Sequence, residues 1–130
     1  MSRAASPETR RYGSFEEFWP FYVAEHGRTA TRALHFAGTT AGLLLVAGAL
    51  WGGRPVLLLA ALLVSYGLAW AGHFAVEKNR PATFQYPIWS LKGDFRMYGL
   101  MWRGRMSSEI ERLRAIGSAA AVPAAGRGRV

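Results

Sequence analysis

The chain has 130 residues, of which 51% are apolar, and a formal net charge of +8. Its length leaves room for one compact unit, and the absence of cysteine excludes disulfides, thiolate metal sites and cysteine nucleophiles. The basic residues flank one long apolar stretch, which favours attraction to anionic lipid head groups over nucleic-acid binding. We therefore expect a lipid bilayer, and no nucleic acid, as a partner.

The N-terminal part is predicted to be a mobile arm followed by an amphipathic helix. Residues 1–12 are polar and basic and include Pro7, as is common at mobile chain ends. Ser14 and Glu17 form a capping box that begins a helix, and Pro20 is expected to kink or interrupt it. One helical face is aromatic, which predicts a position at the membrane interface. Its members are Phe15, Phe18, Trp19 and Tyr22.

Two long apolar segments predict a transmembrane helical hairpin. Residues 33–51 and 56–76 are each about long enough to cross a hydrocarbon core of roughly 30 Å. Between Arg32 and Glu77 the only formal charge is Arg54, in the turn. Because basic residues crowd both flanks, the positive-inside rule places both termini in the cytoplasm and Arg54 outside. We expect a multi-pass protein of a bacterial inner membrane.

Glycines in the first segment predict close helix packing. Gly38 with Gly42, and Gly48 with Gly52, have the small-xxx-small spacing that lets a neighbouring helix approach. The same spacing fits the face of a homo-oligomer, and the sequence does not choose between the two.

The part after the hairpin is predicted to contain two amphipathic helices. Residues 88–102 carry an apolar stripe but also three charges in the middle, which favours an interfacial or partly re-entrant helix covering the hairpin mouth. Ser107 or Ser108 is expected to cap a short helix. The whole is then an all-α membrane protein with an arm (1–12), a single membrane domain (13–116) and a disordered tail (117–130).

Three histidines are predicted to meet at one end of the hairpin. His35 and His73 lie at the outer ends of the two segments, roughly 24 and 27 Å from the turn at 1.5 Å per residue, so folding brings them to one depth. His26 can reach the same place through Gly27. A lone interfacial histidine usually has no special task, but a cluster of ionisable residues at membrane depth is costly and indicates a functional site.

The neighbouring carboxylates favour a mononuclear metal site. Glu77 follows His73 by four residues, so both share one face if the α-helix continues. Asp94 offers a second carboxylate, either as a ligand or as the partner that orients a ligating imidazole. We assign catalytic roles to Glu77 and Asp94. Imidazoles with a carboxylate suit Fe(II) and also Zn(II), and the fourth ligand is left open between Glu77, Asp94 and water.

One set of residues has the appearance of a family signature. It comprises Glu25-His26, Thr31-Arg32, Leu34-His35-Phe36, Gly38-Thr39, Gly72-His73-Phe74, Glu77, Asn79-Arg80-Pro81-Ala82-Thr83-Phe84, Pro87, Trp89-Ser90-Leu91, Asp94, Arg96-Met97 and Gly104-Arg105. This set resembles the small membrane proteins related to the fungal 2-hydroxy-fatty-acid dioxygenase. The resemblance runs from about residue 15 to residue 106, and the block around His73 is its most specific part.

The resemblance implies an Fe(II)-dependent enzyme of fatty-acid α-oxidation, with His26, His35 and His73 holding one iron ion. A long-chain 2-hydroxy acid and O₂ would give the acid one carbon shorter, CO₂ and water. These atoms balance without 2-oxoglutarate or nicotinamide, in keeping with the lack of a Gly-rich nucleotide loop in the sequence.

Substrate contacts and two other functions are also considered. Arg32 and Arg80 are candidates for pairing with the substrate carboxylate, because a planar guanidinium fits that group, and Asn79 is a further candidate for substrate binding. The acyl chain is expected to lie along the hairpin. The alternatives are a non-catalytic hairpin, serving as a scaffold or lipid-binding module, and a zinc-dependent lipid hydrolase, which would turn over without O₂.

Overall fold

The computed structural model describes residues 11–121, and the side chains of residues 11–118. Within this range all regular structure is helical, so the all-α prediction is confirmed. The elements are α1 (Phe15–Glu25), α2 (Thr29–Gly52), α3 (Val56–Ala71), a π-turn (Gly72–Glu77), a 3-10 turn (Ala82–Phe84), α4 (Pro87–Trp102) and α5 (Met106–Ala121). Residues 1–10 of the expected arm and 122–130 of the expected tail lie outside the described residues.

Helix α1 begins at the predicted cap and continues beyond its proline. The Ser14 Oγ accepts a hydrogen bond from the Glu17 N–H at 3.2 Å, and the Glu17 carboxylate accepts one from the Gly13 N–H at 3.0 Å. Of the two predicted effects of Pro20, the interruption is wrong, because α1 extends from Phe15 to Glu25, and the kink stays a prediction. Pro20 lies on the exposed face, where water can satisfy the carbonyl that loses its partner.

Helices α2 and α3 form the predicted hairpin. A Cβ atom on Gly38 would lie 3.0 Å from the Ser65 carbonyl oxygen, and the Ser65 hydroxyl donates to the Gly38 carbonyl at 3.1 Å. A Cβ on Gly42 would also collide with the Ser65 side chain. The glycine pair therefore packs against α3 of the same chain. At the other end Gly53, with φ of 60°, closes α2 in a left-handed conformation that favours glycine.

Two helical stretches are long and apolar enough to cross a membrane, judged by length and composition. They are Thr29–Gly52 and Val56–Glu77. Their outer faces are mostly exposed, and Trp51 near the turn is 96% exposed. An exposed apolar surface of this extent is unfavourable in water and typical of a surface that contacts lipid or a partner.

Helix α4 packs between α1 and the hairpin. Gly93 and Met97 are buried, and the Gly93 backbone lies so close to Tyr22 that a Cβ there would be 2.8 Å from the ring. On its other side the Tyr98 hydroxyl lies 3.1 Å from the Thr40 hydroxyl. The helix expected to cover the hairpin mouth thus also lies along the first turns of α2.

Helix α5 differs from its prediction at both ends. It begins at Met106, so Ser107 and Ser108 lie inside the helix rather than at its cap. It continues to Ala121, so the tail expected to be disordered from residue 117 starts within a helix. Residues 119–121 are alanines, which have the highest helix propensity. The Trp19 indole donates to the Glu109 carboxylate at 2.7 Å and joins α5 to α1.

Candidate metal centre

The three histidines converge at one end of the hairpin, as predicted. His26 directly follows α1, His35 lies in α2 and His73 lies in the π-turn. Their ring centroids are 4.4, 4.5 and 5.1 Å apart, and one ring nitrogen of each lies within 4.8 Å of the others. The residues are 1%, 6% and 3% exposed. The side chains form one buried cluster, so this part of the prediction is confirmed.

An oxygen acceptor lies beside the Nδ1 atom of His26 and of His35. The His26 Nδ1 lies 2.6 Å from the Tyr22 carbonyl oxygen, and the His35 Nδ1 lies 3.4 Å from the Asp94 carboxylate. A carbonyl or carboxylate oxygen can only accept, so the hydrogen bond places the hydrogen of His26 on Nδ1, and the nearby Asp94 carboxylate favours the same tautomer of His35. The Nε2 of a neutral imidazole then keeps its lone pair.

The third ring is fixed in the same way by an amide. The His73 Nδ1 lies 2.7 Å from the Asn79 Oδ1. The Asn79 amide nitrogen donates to the Glu25 carbonyl at 3.0 Å, which settles the orientation of that amide. The His26 and His73 imidazoles therefore bind an acceptor through Nδ1, and the His35 Nδ1 faces the Asp94 carboxylate. An acceptor beside the second ring nitrogen is usual for metal-ligating histidines.

The distance between two Nε2 atoms also fits metal ligands. The Nε2 atoms of His26 and His35 lie 3.2 Å apart, where two lone pairs would repel without a cation between them. Two nitrogens at about 2.1 Å from one ion, at an angle of roughly 100°, are separated by about 3.2 Å. Burial, followed by the imidazoles of His35 and His73, lowers the pKa of His26 well below its ordinary value. The neutral form is the one that binds metals.

Tyr22 supports two of the histidines and was classed from the sequence only as part of an aromatic face. Its ring stacks on His26 with centroids 4.1 Å apart, and its hydroxyl donates to the Asp94 carboxylate. Burial, and then Asp94, raises the pKa of Tyr22 well above its ordinary value. Asp94 is thus shared between His35 and Tyr22, which matches the orienting role that was one of its two predicted alternatives.

Ser90 lies in the family signature, but its sequence context assigns it no role. It is 3% exposed, and its hydroxyl has no hydrogen-bond partner among the described residues. It lines the same small cavity as the three histidines and Asp94. Because leaving a buried hydroxyl unpaired costs free energy, this group is suited to a ligand that enters the cavity.

The Glu77 side chain contacts the start of α2 and does not join the histidine cluster. Its carboxylate accepts hydrogen bonds from the Arg28 N–H at 2.6 Å and the Thr31 hydroxyl at 2.7 Å. The Arg28 side chain makes no capping bond, so Glu77 supplies the negative group favoured at a helix N-terminus. The expected shared face with His73 assumed a continuous α-helix, whereas Gly72–Glu77 is a π-turn. A catalytic role for Glu77 stays a prediction.

The predicted substrate-binding residues lie outside the histidine cavity. The Arg32 guanidinium donates to the carbonyls of His26 and Gly27 at 2.8 and 2.9 Å and so fastens the link between α1 and α2. Arg80 lies 5.5 Å from the Phe84 ring centroid and, with Asn79, lines a separate surface cleft of about 1020 Å³. Asn79 orients His73 directly. Binding of substrate by these three residues stays a prediction.

Comparison with known proteins gives one match. A family model described as "Mpo1-like: 2-hydroxy-palmitic acid dioxygenase Mpo1-like" matches residues 12–106. That stretch includes all three histidines, Asp94 and Ser90. Neither a curated protein nor a solved structure matches the chain.

Proposed function

The chain belongs to the Mpo1-like family, and from this premise we propose that it is an iron-dependent dioxygenase. Its reaction converts a long-chain 2-hydroxy fatty acid and O₂ to the fatty acid one carbon shorter, CO₂ and water. The observation that carries the proposal is the group of three buried imidazoles, each with an acceptor beside its Nδ1 and each turned toward the others.

His26, His35 and His73 would hold the iron, and their donor set fits it. Three neutral nitrogens with orienting acceptors leave further coordination positions for substrate and O₂. Iron(II) bound there would supply the redox chemistry with O₂ that Zn(II), which has no redox activity, does not. The three ligands come from three separate elements, so the site forms only when α1 and the π-turn close on α2.

The surrounding residues orient the ligands and receive the polar end of the substrate. Asp94 holds the His35 ring and is itself held by the Tyr22 hydroxyl. The Ser90 hydroxyl is available to donate to the substrate carboxylate or 2-hydroxyl group. Burial of these groups restricts water, which strengthens such polar contacts.

The burial of the cluster counts against a scaffold but does not separate a zinc hydrolase from the proposed function. Interfacial histidines of a scaffold would be solvated, whereas these three are at most 6% exposed and hydrogen-bonded. A zinc hydrolase fits the same ligands but turns over without O₂. Oxygen dependence is therefore the property that separates it from the proposed function.

We place the hairpin across the bilayer, with the histidine end at the cytoplasmic face. The exposed apolar faces of α2 and α3 support the crossing, and the basic flanks support the orientation. A cysteine introduced at Gly53 should react with an impermeant reagent in intact cells, and one introduced at Ser108 should not. Reversed labelling would overturn the orientation.

The reaction itself is tested with 2-hydroxyhexadecanoic acid and anaerobically purified, iron-loaded protein. We expect one O₂ to be consumed and one CO₂ released for each acid shortened, and no O₂ consumption with hexadecanoic acid, which lacks the 2-hydroxyl group. Failure to consume O₂ by protein that contains iron would contradict the proposal.

A further inference from the structure

An apolar groove of about 410 Å³ runs between α2, α3 and α4. It begins at His35 and Asp94 and extends toward the turn end as far as Val46 and Leu58. The only formal charge in its lining is Asp94, at the end nearest the histidines. The groove thus has one charged end, and the rest of its lining is mostly apolar.

The groove adjoins the histidine cavity. His35, Asp94, Tyr66 and Ala69 line both of them. A molecule in the groove would therefore place one end beside the three imidazoles and the unpartnered Ser90 hydroxyl. This is the arrangement needed by a ligand with a polar head and an apolar tail.

The length of the groove fits a long hydrocarbon chain. From His35 to Val46 along α2 the rise is about 17 Å at 1.5 Å per residue. An extended alkyl chain with carbon–carbon bonds of about 1.5 Å advances roughly 1.25 Å per carbon. The groove therefore accepts about a dozen carbons beyond the head. Leu43, Leu58 and Leu62 on its walls are exposed, so its side is open to the lipid that surrounds a membrane hairpin.

We infer that this groove binds the acyl chain of the substrate and selects its length, with the chain end lying between Val46 and Leu58. The inference rests on the proposed function for the identity of the head group. It adds the place of the tail and the residues that limit it.

Val46→Trp tests the length limit, with Leu44→Trp as the matched control. Leu44 lies two residues away on the same helix, is exposed and does not line the groove. Each methylene removed from an apolar site changes affinity about fourfold. We expect Val46→Trp to lower kcat/KM for the sixteen-carbon 2-hydroxy acid at least tenfold relative to the ten-carbon acid, and Leu44→Trp to leave this ratio within twofold. Equal ratios in the two variants would overturn the inference.

Photolabelling gives a readout that needs neither metal nor turnover. The probe is a sixteen-carbon 2-hydroxy acid with a diazirine at its terminal carbon, added to the full chain in phosphatidylcholine vesicles. We expect the label near Val46 and Leu58, and its loss from that place in Val46→Trp. Labelling concentrated on the outer face at Leu44, or at the cleft near Arg80, would contradict the inference.

The two readouts separate this inference from the proposed function. Labelling at Val46 and Leu58 without O₂ consumption by any acid would leave the groove assignment standing and overturn the reaction. Normal turnover with no difference between the tryptophan variants would leave the reaction standing and overturn the groove assignment. If Val46→Trp does not fold, Leu58→Trp with Leu59→Trp as its control asks the same question from α3, because Leu58 lines the groove and Leu59 does not.

Discussion

The two ends of the α2–α3 hairpin are built from the same helices but differ in what surrounds them. At one end α1, the π-turn and α4 cover the helices and bury three histidines with their acceptors. At the other end Trp51, Gly53 and Arg54 are exposed. Burying polar groups costs free energy unless they are hydrogen-bonded. The comparison indicates that the covered end is organised for chemistry, whereas the turn end has only to connect two helices.

The largest difference in effect is expected between substitutions at the two ends of the hairpin. His35→Ala and His73→Ala should each abolish O₂ consumption driven by 2-hydroxyhexadecanoic acid, because each removes one of three ligands. Arg54→Ala should keep activity within about twofold, since Arg54 lies roughly 24 Å or more along the helix from the histidines. An oxygen electrode measures both. Activity retained in the histidine variants, or lost in Arg54→Ala, would contradict the comparison.

A smaller effect is expected where the covering helices touch the site indirectly. In Gly93→Ala the new Cβ would lie 2.8 Å from the Tyr22 ring, so the ring or α4 must shift. We expect this shift to disturb the contacts of Tyr22 with His26 and Asp94. We expect iron affinity or activity to fall about 10- to 100-fold, as is usual for residues that orient ligands. Gly99→Ala is the matched control on α4, because a Cβ placed there would have no atom of another element within 4 Å among the described residues. Similar iron binding and rates in the two variants would show that Tyr22 does not position the site.

Glu77→Gln should have a milder effect, because the amide keeps an oxygen that can accept from Arg28 and Thr31 but loses the charge at the start of α2. We expect iron content to remain near that of the unchanged protein, with the rate falling by no more than about tenfold. Glu111→Gln, at an exposed position in α5, is the control. Iron lost in parallel with activity would instead make Glu77 a ligand.

The smallest effect concerns a contact that lies outside the histidine cluster. A hydrogen bond from Arg112, and then one from Trp19, lowers the pKa of Glu109 to about 2. Since an unfolded glutamate has a pKa of about 4.3, the contribution of this carboxylate to stability is present above that pH and is lost as the pH falls toward 2. Unfolding followed by circular dichroism should show the unchanged protein losing more stability than Glu109→Gln between pH 5 and pH 3. Parallel losses in the two proteins would contradict this assignment.

The sequence predicted those features that depend on patterns along the chain. Two apolar segments around one charged turn predicted the hairpin, and the positions of His35 and His73 near its outer ends predicted their meeting. Both follow from helix rise and segment length, which need no knowledge of packing. The glycine spacing predicted close approach of a helix, but only the contact of Gly38 with Ser65 identified that helix as α3.

The rest depended on tertiary geometry. The π-turn at Gly72–Glu77 changes the spacing between His73 and Glu77, and the sequence gives no signal for it. The Ser90 hydroxyl, which has no hydrogen-bond partner within the described part of the chain, becomes informative only once its surroundings are known. Tyr22 did leave a signal, since it precedes His26 by four residues and so shares one face of α1 with it. From the sequence, however, the Tyr22 ring is assigned to the aromatic face of α1 and not to the histidine site.

The iron content of the anaerobically purified protein tests the three-histidine centre most directly. The iron content per chain is measured by elemental mass spectrometry and compared with that of the His35→Ala variant purified in the same way. This measurement requires no substrate and no turnover. We predict about one iron per chain in the unchanged protein and almost none in the variant, because loss of one of three ligands removes most of the affinity. Equal iron in both proteins, or none in either, would contradict the assignment of His26, His35 and His73 as the metal site.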